Sequence, residues 1–347
     1  MSTRNAISAK ARAMFGERLN ASDYAALLQK KSVGEIASYL KNSTMFRECL
    51  DGINEKSIHR GQLEVLLRTD VFERLAKLIR YADENALHFA TAVVMESEIE
   101  LIMMAVRSFE NGVSHAERRE IIARMPLYAR EYTSFDIVKL ADVQTYDELV
   151  ELLEGTVYCD AVKRYQTKNL QEIDYVGLMH EMRMRYYQAC TAAIRKYGAR
   201  NARDQMQEII NARVELENIS IIYRLKKYFE APPQQIRPLI VQTFCYFTPK
   251  EINDMIDNAT ADQVIDRLHS SKYRRYISST KFTYIEHYTK QISYNMNYHF
   301  IETNTAPNLV LMSYLLLSDI EIQNVVDIIE AVRYGISQEH IRALLVY

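Results

Sequence analysis

The sequence has no tryptophan, and its 347 residues include only nine glycines and six prolines. Glycine and proline interrupt regular secondary structure, so their scarcity favours a chain that is mostly helical. The 24 tyrosines and 14 methionines are typical of helix packing and adaptable contact surfaces rather than of a cofactor pocket. Because no alternating strand pattern of useful length is present either, the predicted fold class is all-α.

Cysteine and net charge are also scarce. The four cysteines form no C-x-x-C pair and lie far apart in the sequence, at Cys49, Cys159, Cys190 and Cys245. We therefore expect free buried thiols in a reducing cytoplasm rather than a disulfide framework. The 43 basic and 45 acidic residues give a formal charge of −2, which removes the usual electrostatic argument for binding nucleic acid.

Long hydrophobic runs are missing as well. The most apolar stretch, Leu309 to Leu317, contains Ser313 and is far shorter than the ~20 residues that a membrane-spanning helix needs. The N-terminus runs into an amphipathic helix at residues 5–15 without the apolar core of a signal peptide. These features predict no direct insertion into a membrane.

Motifs for nucleotide and metal binding are absent from the sequence. It contains neither a G-x-x-x-x-G-K-[ST] phosphate loop nor a G-x-G-x-x-G fingerprint. His180 opens a zinc-like pattern, but Met184 replaces the second imidazole that zinc needs four residues later. His287 and His299 are three helical turns apart, too far to share one ion without another element. We therefore predict no enzyme activity, no cofactor, no metal site and no small-molecule substrate.

One segment, Lys272 to Tyr276, mixes basic and aromatic residues as RNA-binding surfaces do. Acidic residues lie close by in sequence, at Asp262, Asp266 and Glu286. We favour a solvated helix face with tyrosines packed beneath it, and no nucleic-acid partner is predicted.

Three copies of one short pattern organise the chain, and they begin at Ser32, Thr145 and Thr260. Each opens with a hydroxyl residue and has Glu or Gln three places later, which is the capping-box signature of a helix start. Thr145 lies 113 residues after Ser32, and Thr260 lies 115 residues after Thr145. A helical solenoid repeats every ~20–50 residues, so this longer period indicates a triplicated domain. The predicted domains are residues 1–113, 114–231 and 232–347.

Further helices surround these copies. Capped helices are predicted just upstream, from Asn20, Thr133 and Thr248, and further capped starts lie at Ser114 and Ser337. The remaining predicted helices are long and lie near residues 62–81, 87–109, 171–197, 202–229, 282–302 and 308–333.

A second landmark recurs within the long helices, as Glu98-Ile99-Glu100-Leu101, Glu215-Leu216-Glu217-Asn218 and Glu321-Ile322-Gln323-Asn324. Paired carboxylates could indicate acid–base catalysis, but residues two apart on a helix face different directions. The third copy also has Gln323 in place of the second glutamate. A structural or interface role is therefore favoured for these positions.

The three copies, in this order and at this length, resemble the C subunit of the archaeal and bacterial A/V-type ATPases, which is called the d subunit in eukaryotic V-ATPases. The residues that carry the resemblance near the N-terminus are Arg12, Met14, Leu19 and Tyr24, which are similar to that family's R-x-M…L…Y pattern. The residues that resemble its repeated E-N-[IL]-x-x-[IL]-x-R-x-K helix are Glu217, Asn218, Ile219, Ile222, Arg224 and Lys226. Looser copies of that helix carry Arg107 and Arg333.

The resemblance implies a fold and a role. The fold would be a funnel of three similar helical domains about a pseudo-threefold axis. The role would be that of a non-catalytic rotor adaptor at the cytoplasmic face of the membrane, between the proteolipid rotor ring and the central-stalk subunits D and F. Such an adaptor couples ATP hydrolysis or synthesis to ion transport. The alternative is a helical scaffold or adaptor protein of another complex.

Three arginines are the predicted interface residues. Arg107, Arg224 and Arg333 recur near the same place in each repeat, and arginine is favoured at interfaces. The alternative for each is that it pairs with nearby carboxylates in the long helices.

Overall fold

The structure is a computed structural model that describes residues 3–79, 84–111, 133–167 and 172–347. Every regular element within these ranges is a helix, which confirms the predicted all-α class. The helix predicted to start at Ser114 lies outside the described residues.

The first copy and its surroundings contain α1 (Thr3–Gly16), α2 (Ala21–Leu28), α3 (Val33–Ser43), α4 (Arg60–Ile79) and α5 (Glu84–Asn111). Around the second copy lie α6 (Ile137–Asp142), α7 (Tyr146–Leu152), α8 (Cys159–Arg164), α9 (Tyr175–Tyr197) and α10 (Arg203–Phe229). The third part contains α11 (Pro233–Ile236), α12 (Pro249–Asp257), α13 (Ala261–Ser270), α14 (Ile285–Thr303), α15 (Pro307–Tyr334) and α16 (Gln338–Arg342). Short 3-10 turns occur at Met45–Arg47, Arg237–Leu239 and Lys272–Tyr276.

The chain forms two compact units. The larger unit combines Met1–Asp83 with Ala199–Tyr347, and the smaller unit is Glu84–Gly198. In the larger unit α15 packs against α1, α3, α4 and α14, while α10 packs against α13 and α14. In the smaller unit α5 packs against α9 and α6. The three domains inferred from the sequence repeats remain a prediction, because a sequence repeat and a compact unit divide the chain by different criteria.

The core of the larger unit joins the beginning of the chain to its end. Leu27, Ile36 and Leu40 of the first short helices are fully or almost fully buried. They belong to one hydrophobic cluster with Val325 and Ile329 of α15. Burying a side chain of this size stabilises the fold by roughly 1.5–3 kcal/mol, so this cluster fixes α2 and α3 on the last long helix.

The predicted helix caps are confirmed at the three copies. The hydroxyls of Ser32, Thr145 and Thr260 each accept a hydrogen bond from the backbone N–H three residues later. Only Thr260 completes the reciprocal bond, because its own N–H donates to Gln263 at 2.8 Å. In the second copy the corresponding carboxylate, Glu148, accepts instead from the N–H of the residue before the cap, at 2.7 Å.

Caps upstream of the copies agree with the sequence at two positions and differ at one. Asn20 and Thr248 form full capping boxes, as expected. The predicted start at Thr133 is wrong, because the N-cap is Asp136, whose carboxylate accepts from the N–H groups of Val138 and Lys139. Asp136 thus satisfies the free N–H groups of the first turn.

Two other helix ends show where sequence signals were and were not sufficient. Asp174 caps α9 by accepting from the N–H of Gly177, so the helix begins at Tyr175 rather than near residue 171. Gly335 ends α15 in the left-handed conformation with φ 65°, as expected for a glycine stop. At the matching end of α10, Glu230 adopts φ 47° without being glycine.

Among the described residues, α15 is the one helix that is long and apolar enough to cross a bilayer. However, 83% of its apolar 18-residue window is buried inside the protein. A helix that is apolar on all sides and buried in this way has the pattern of a core helix.

Candidate functional site

Three glutamates of the long helices lie inside the protein. Glu98 and Glu215 are each 2% exposed, and Glu321 is 7% exposed. The residues two places later point elsewhere: Glu100 is exposed, and Glu217 and Gln323 are half-buried. The pairs therefore do not act as paired carboxylates, which agrees with the structural role favoured from the sequence.

In the smaller unit, Glu98 of α5 joins this helix to the second copy. The hydroxyl of Tyr158 donates to Oε2 of Glu98 at 2.6 Å, and the backbone N–H of Ser134 donates to Oε1. Burial raises the pKa of Glu98, and the hydrogen bond from Tyr158 opposes that shift. Burial also raises the pKa of the Tyr158 hydroxyl, as does the adjacent Glu98 charge. When Glu98 is ionised this bond is charge-assisted and roughly twice as strong as a neutral one.

In the larger unit, Glu215 of α10 forms the matching joint, that is, a connection through a buried glutamate, with the third copy. Its Oε1 accepts from the N–H of Tyr246 at 3.1 Å and from that of Phe247 at 2.6 Å. Its Oε2 accepts from the hydroxyl of Tyr273 at 2.6 Å. Burial raises the pKa of Glu215, while these donors lower it. A long helix of one repeat thus holds the short helices of the next through one buried carboxylate.

The third joint connects Glu321 of α15 to the beginning of the chain. Oε1 of Glu321 accepts from the backbone N–H of Leu19 at 2.6 Å. In register with Tyr158 and Tyr273, the first copy has Met45. The Met45 sulfur instead lies 3.0 Å from Nη1 of Arg74. This joint therefore lacks the tyrosine donor that the other two possess.

Asn218 and Asn324 form a second connection beside these glutamates. The side-chain amide of Asn218 donates to the carbonyl of Val241 at 2.7 Å and accepts from the same residue's N–H at 3.1 Å. Asn324 holds Val346 in the same way, at 2.7 and 3.2 Å. An amide side chain is the group that can pair with both sides of one peptide residue, which explains the asparagine of the E-N motif. In the first copy Leu101 stands at this position.

The three predicted interface arginines are all exposed and each contacts a different neighbour. Arg107 lies over the ring of Tyr175 at 4.4 Å from its centroid. Arg224 pairs with Glu286 at 3.3 Å, and both side chains are about half exposed. Arg333 lies 5.4 Å from the ring centroid of its neighbour Tyr334. The alternative of carboxylate pairing thus describes Arg224, and the interface role of all three stays a prediction.

The basic and aromatic segment Lys272 to Tyr276 is largely used within the fold. Tyr273 and Tyr276 are buried, as expected for tyrosines beneath a solvated face. Arg275 forms an ion pair with the buried Glu208, and Lys272 lies 4.0 Å from the same carboxylate. Burial lowers the pKa of Lys272 to about 8. Sequence reasoning missed Glu208 because nothing marks it as a partner until the fold brings the segment to α10.

Large apolar side chains are exposed where two equivalent long helices end. Tyr228 and Phe229 at the end of α10 are 58% and 67% exposed. Tyr334 and Ile336 at the end of α15 are 68% and 49% exposed. The sequence carried a signal for this, because Tyr228 and Tyr334 each follow the buried glutamate of their helix by 13 residues. Exposed apolar residues grouped in this way are a feature of contact surfaces.

Metal-ligating residues are not grouped in the part of the chain that the structure describes. No set of three or more His, Cys, Asp or Glu side chains is placed there to hold an ion. His180 lies half-buried on α9, as expected from its sequence position. His287 contacts the carbonyl of Leu345 at 3.2 Å, and the ring centroid of His299 is 6.3 Å from that of Tyr276.

Comparison with known proteins gives a consistent result along the whole chain. The family model described as ATP synthase (C/AC39) subunit matches residues 7–344. The A-type ATP synthase C subunit of Methanosarcina mazei is 22% identical over 345 residues, which cover 97% of this chain and 91% of that protein. The A-type ATP synthase C subunit of Methanosarcina acetivorans is 23% identical over 264 residues, which cover 76% of this chain and 69% of that protein. The chain therefore belongs to the ATP synthase (C/AC39) subunit family.

Proposed function

We propose that this protein is a non-catalytic adaptor in the central rotor of an A/V-type ATPase or ATP synthase. In this role it links the central-stalk subunits D and F to the proteolipid ring and couples ATP turnover to ion transport. It is a peripheral component at the cytoplasmic face of the membrane and acts through protein contacts alone.

The buried glutamate joints are the observation that carries this proposal. An adaptor that transmits torque must not yield where its helical modules meet. Glu98, Glu215 and Glu321 place buried hydrogen bonds at three such meetings, where the low dielectric of the interior strengthens each bond. Close packing of long helices adds stiffness, because protein interiors are little compressible.

The exposed side chains support contact with other subunits. A rotor adaptor needs surfaces that remain free in the isolated chain and become covered in the complex. Tyr228, Phe229, Tyr334 and Ile336 are such surfaces, and aromatic residues and arginine are enriched in the centres of interfaces. Arg107, Arg224 and Arg333 are further candidates.

Reconstitution tests the coupling role directly. The complex is assembled in vesicles with and without this protein, and ATP hydrolysis and ATP-driven ion uptake are measured together. We expect the head and stalk to hydrolyse ATP without it, while ion uptake is lost because nothing turns the ring. ATP-driven uptake that persists without the protein would reject the proposal.

A matched pair of variants tests the arginine surface. The triple change of Arg107, Arg224 and Arg333 to Ala should weaken assembly and lower uptake per ATP hydrolysed. The control is Arg164→Ala, because Arg164 is 65% exposed and ion-paired with Glu181 much as Arg224 is with Glu286. Equal assembly of both variants would leave the arginines with a local role only.

A further inference from the structure

We propose that Glu321, together with Arg74 and Asp70, forms a proton-binding site in the core of the larger unit, and that the charge state of Glu321 makes the stability of this unit depend on pH. The site concerns the isolated chain and stands independently of the rotor role. It is distinguished from the other two joints by its geometry.

The first step is the burial of three ionisable groups in the same part of the core, where the charges of Asp70 and Arg74 act on Glu321. Asp70 is 4% exposed, Arg74 is 6% exposed and Glu321 is 7% exposed. Two buried carboxylates there face one buried guanidinium, and the second cation nearby, Arg18, is only half-buried, so ionising both carboxylates is costly in a low-dielectric interior. A proton on one carboxylate removes that cost.

The second step assigns the proton to Glu321 rather than to Asp70. Arg74 pairs directly with Asp70 through Nη2, four residues apart on the same helix. Glu321 has the backbone N–H of Leu19 as its hydrogen-bond donor. Since the guanidinium charge is engaged by Asp70, Glu321 is the carboxylate with less compensation.

The third step is a small cavity beside the carboxylate. It has a volume of about 20 Å³, enough for one water molecule. Met45, Glu321 and Arg74 all line it. At Glu98 and Glu215 a tyrosine hydroxyl donates to the carboxylate. Such a bond favours the ionised form, so the joint at Glu321 alone of the three lacks this support.

Several of the elements packed around this carboxylate contribute groups that face it. The titratable or charged neighbours are Arg18 after α1, Tyr24 of α2, Asp70 and Arg74 of α4, Tyr294 of α14, Tyr314 of α15 and the C-terminal Tyr347. Burial raises the pKa of Tyr24, Tyr294 and Tyr314, so these hydroxyls stay neutral near neutral pH. Burial also raises the pKa of Glu321 to about 7, although Arg74 opposes the shift.

The sign of the effect follows from linkage. An unfolded glutamate has a pKa of about 4.3, so the folded state binds this proton more tightly than the unfolded state does. The contribution of Glu321 to folding stability therefore rises as pH falls through about 7 and is lost as pH rises through it. At higher pH the core holds an ionised carboxylate with little compensation, so the folded state is less stable, although the hydrogen bond from Leu19 itself favours the ionised form.

Thermal unfolding of three full-length proteins at about pH 6 and about pH 8 tests the site. They are the wild type, Glu321→Gln and the matched control Glu215→Gln. Glutamine keeps an acceptor for Leu19 but cannot ionise. The quantity compared is the Tm of Glu321→Gln minus the Tm of the wild type. We expect this difference to be larger at the higher pH than at the lower one, by roughly 1–3 °C. Glu215→Gln is the control because the Glu215 carboxylate accepts three hydrogen bonds, which favour its ionised form, so the Tm difference between this variant and the wild type should change less with pH.

Carbon-13 NMR of glutamate carboxyl groups provides a second measurement. One resonance should titrate near pH 7 in the wild type and be absent from Glu321→Gln, while exposed glutamates titrate at about pH 4–5. Two results would overturn the proposal: all glutamate carboxyls titrating below about pH 5.5, or parallel pH dependence of Tm in the wild type and Glu321→Gln.

Discussion

The joints at Glu215 and Glu321 place the same residue at equivalent points of two long helices and satisfy it in different ways. At Glu215 two backbone N–H groups and the Tyr273 hydroxyl surround the carboxylate. At Glu321 one backbone N–H, a nearby guanidinium and a small cavity take their place. The repeated glutamate thus marks where modules meet. Its neighbours decide whether the carboxylate is held by several donors or binds a proton near neutral pH.

The asparagine connection shows what the two joints share. Asn218 and Asn324 both pair with the N–H and the carbonyl of one later residue. This pairing is the same beside the tyrosine of the Glu215 joint and beside the arginine of the Glu321 joint. The amide bridge is therefore the constant part of the joint, and the carboxylate is the variable part.

The largest expected effect comes from deleting the carboxylate of the fully satisfied joint. Glu215→Ala leaves the N–H groups of Tyr246 and Phe247 and the Tyr273 hydroxyl without their acceptor. Each buried unpaired group costs ~1–3 kcal/mol, so we expect a loss of about 3 kcal/mol or more in urea unfolding followed by circular dichroism. The exposed Asp266→Ala is the control and should change stability by less than about 0.5 kcal/mol. Equal, small effects of both changes would show that the joint contributes little.

The amide bridge should come next. Asn218→Ala leaves the peptide groups of Val241 unpaired, for an expected loss of ~2 kcal/mol in the same urea unfolding measurement. Asn324→Ala should cost at least as much, because Asn324 also contacts Tyr24 at 3.2 Å. The control Asn42→Ala removes an exposed amide that bonds within its own helix. A negligible loss in both core variants would contradict the shared role of the asparagines.

Removing one hydroxyl tests the contribution of tyrosine to the Glu215 joint. Tyr273→Phe keeps the buried ring and removes one hydrogen bond to Glu215, for an expected loss of ~1.5 kcal/mol. It should also raise the pKa of Glu215, since the lost bond favoured the ionised form. Tyr158→Phe should behave alike at Glu98. Unfolding curves and carboxyl titrations identical to those of the wild type would remove the distinction between the joints.

The smallest of these effects belongs to the helix caps, which should be equal in the second and third copies. Thr260→Ala and Thr145→Ala each remove one N-cap bond, and such changes typically cost ~1 kcal/mol. The exposed Thr303→Ala is the comparison, because its hydroxyl bonds only to the carbonyl of His299 within α14. An unchanged thermal midpoint for Thr145→Ala would place the start of α7 elsewhere.

Much of the fold followed from local signals. The caps at Ser32, Thr145 and Thr260 were predictable because capping depends on a few consecutive residues. The start of α6 was not, because both Thr133 and Asp136 are plausible caps by type. Helical periodicity predicted that Glu98 and Glu100 face different directions, but not that Glu98 is the buried one, because its donor Tyr158 lies 60 residues further along the chain.

The helical class, the threefold recurrence and the positions of the repeated glutamates all follow from the sequence, because each depends on spacing within one helix or on comparison of one copy with another. Tertiary packing selects which hydroxyl, amide or guanidinium meets each carboxylate. That choice depends on contacts between segments up to 302 residues apart, as for Leu19 and Glu321. The alignment of the copies shows that Met45 stands where the other two copies have a tyrosine. Only the tertiary structure shows the consequence, which is that Arg74 and a cavity lie beside Glu321 in place of a tyrosine hydroxyl.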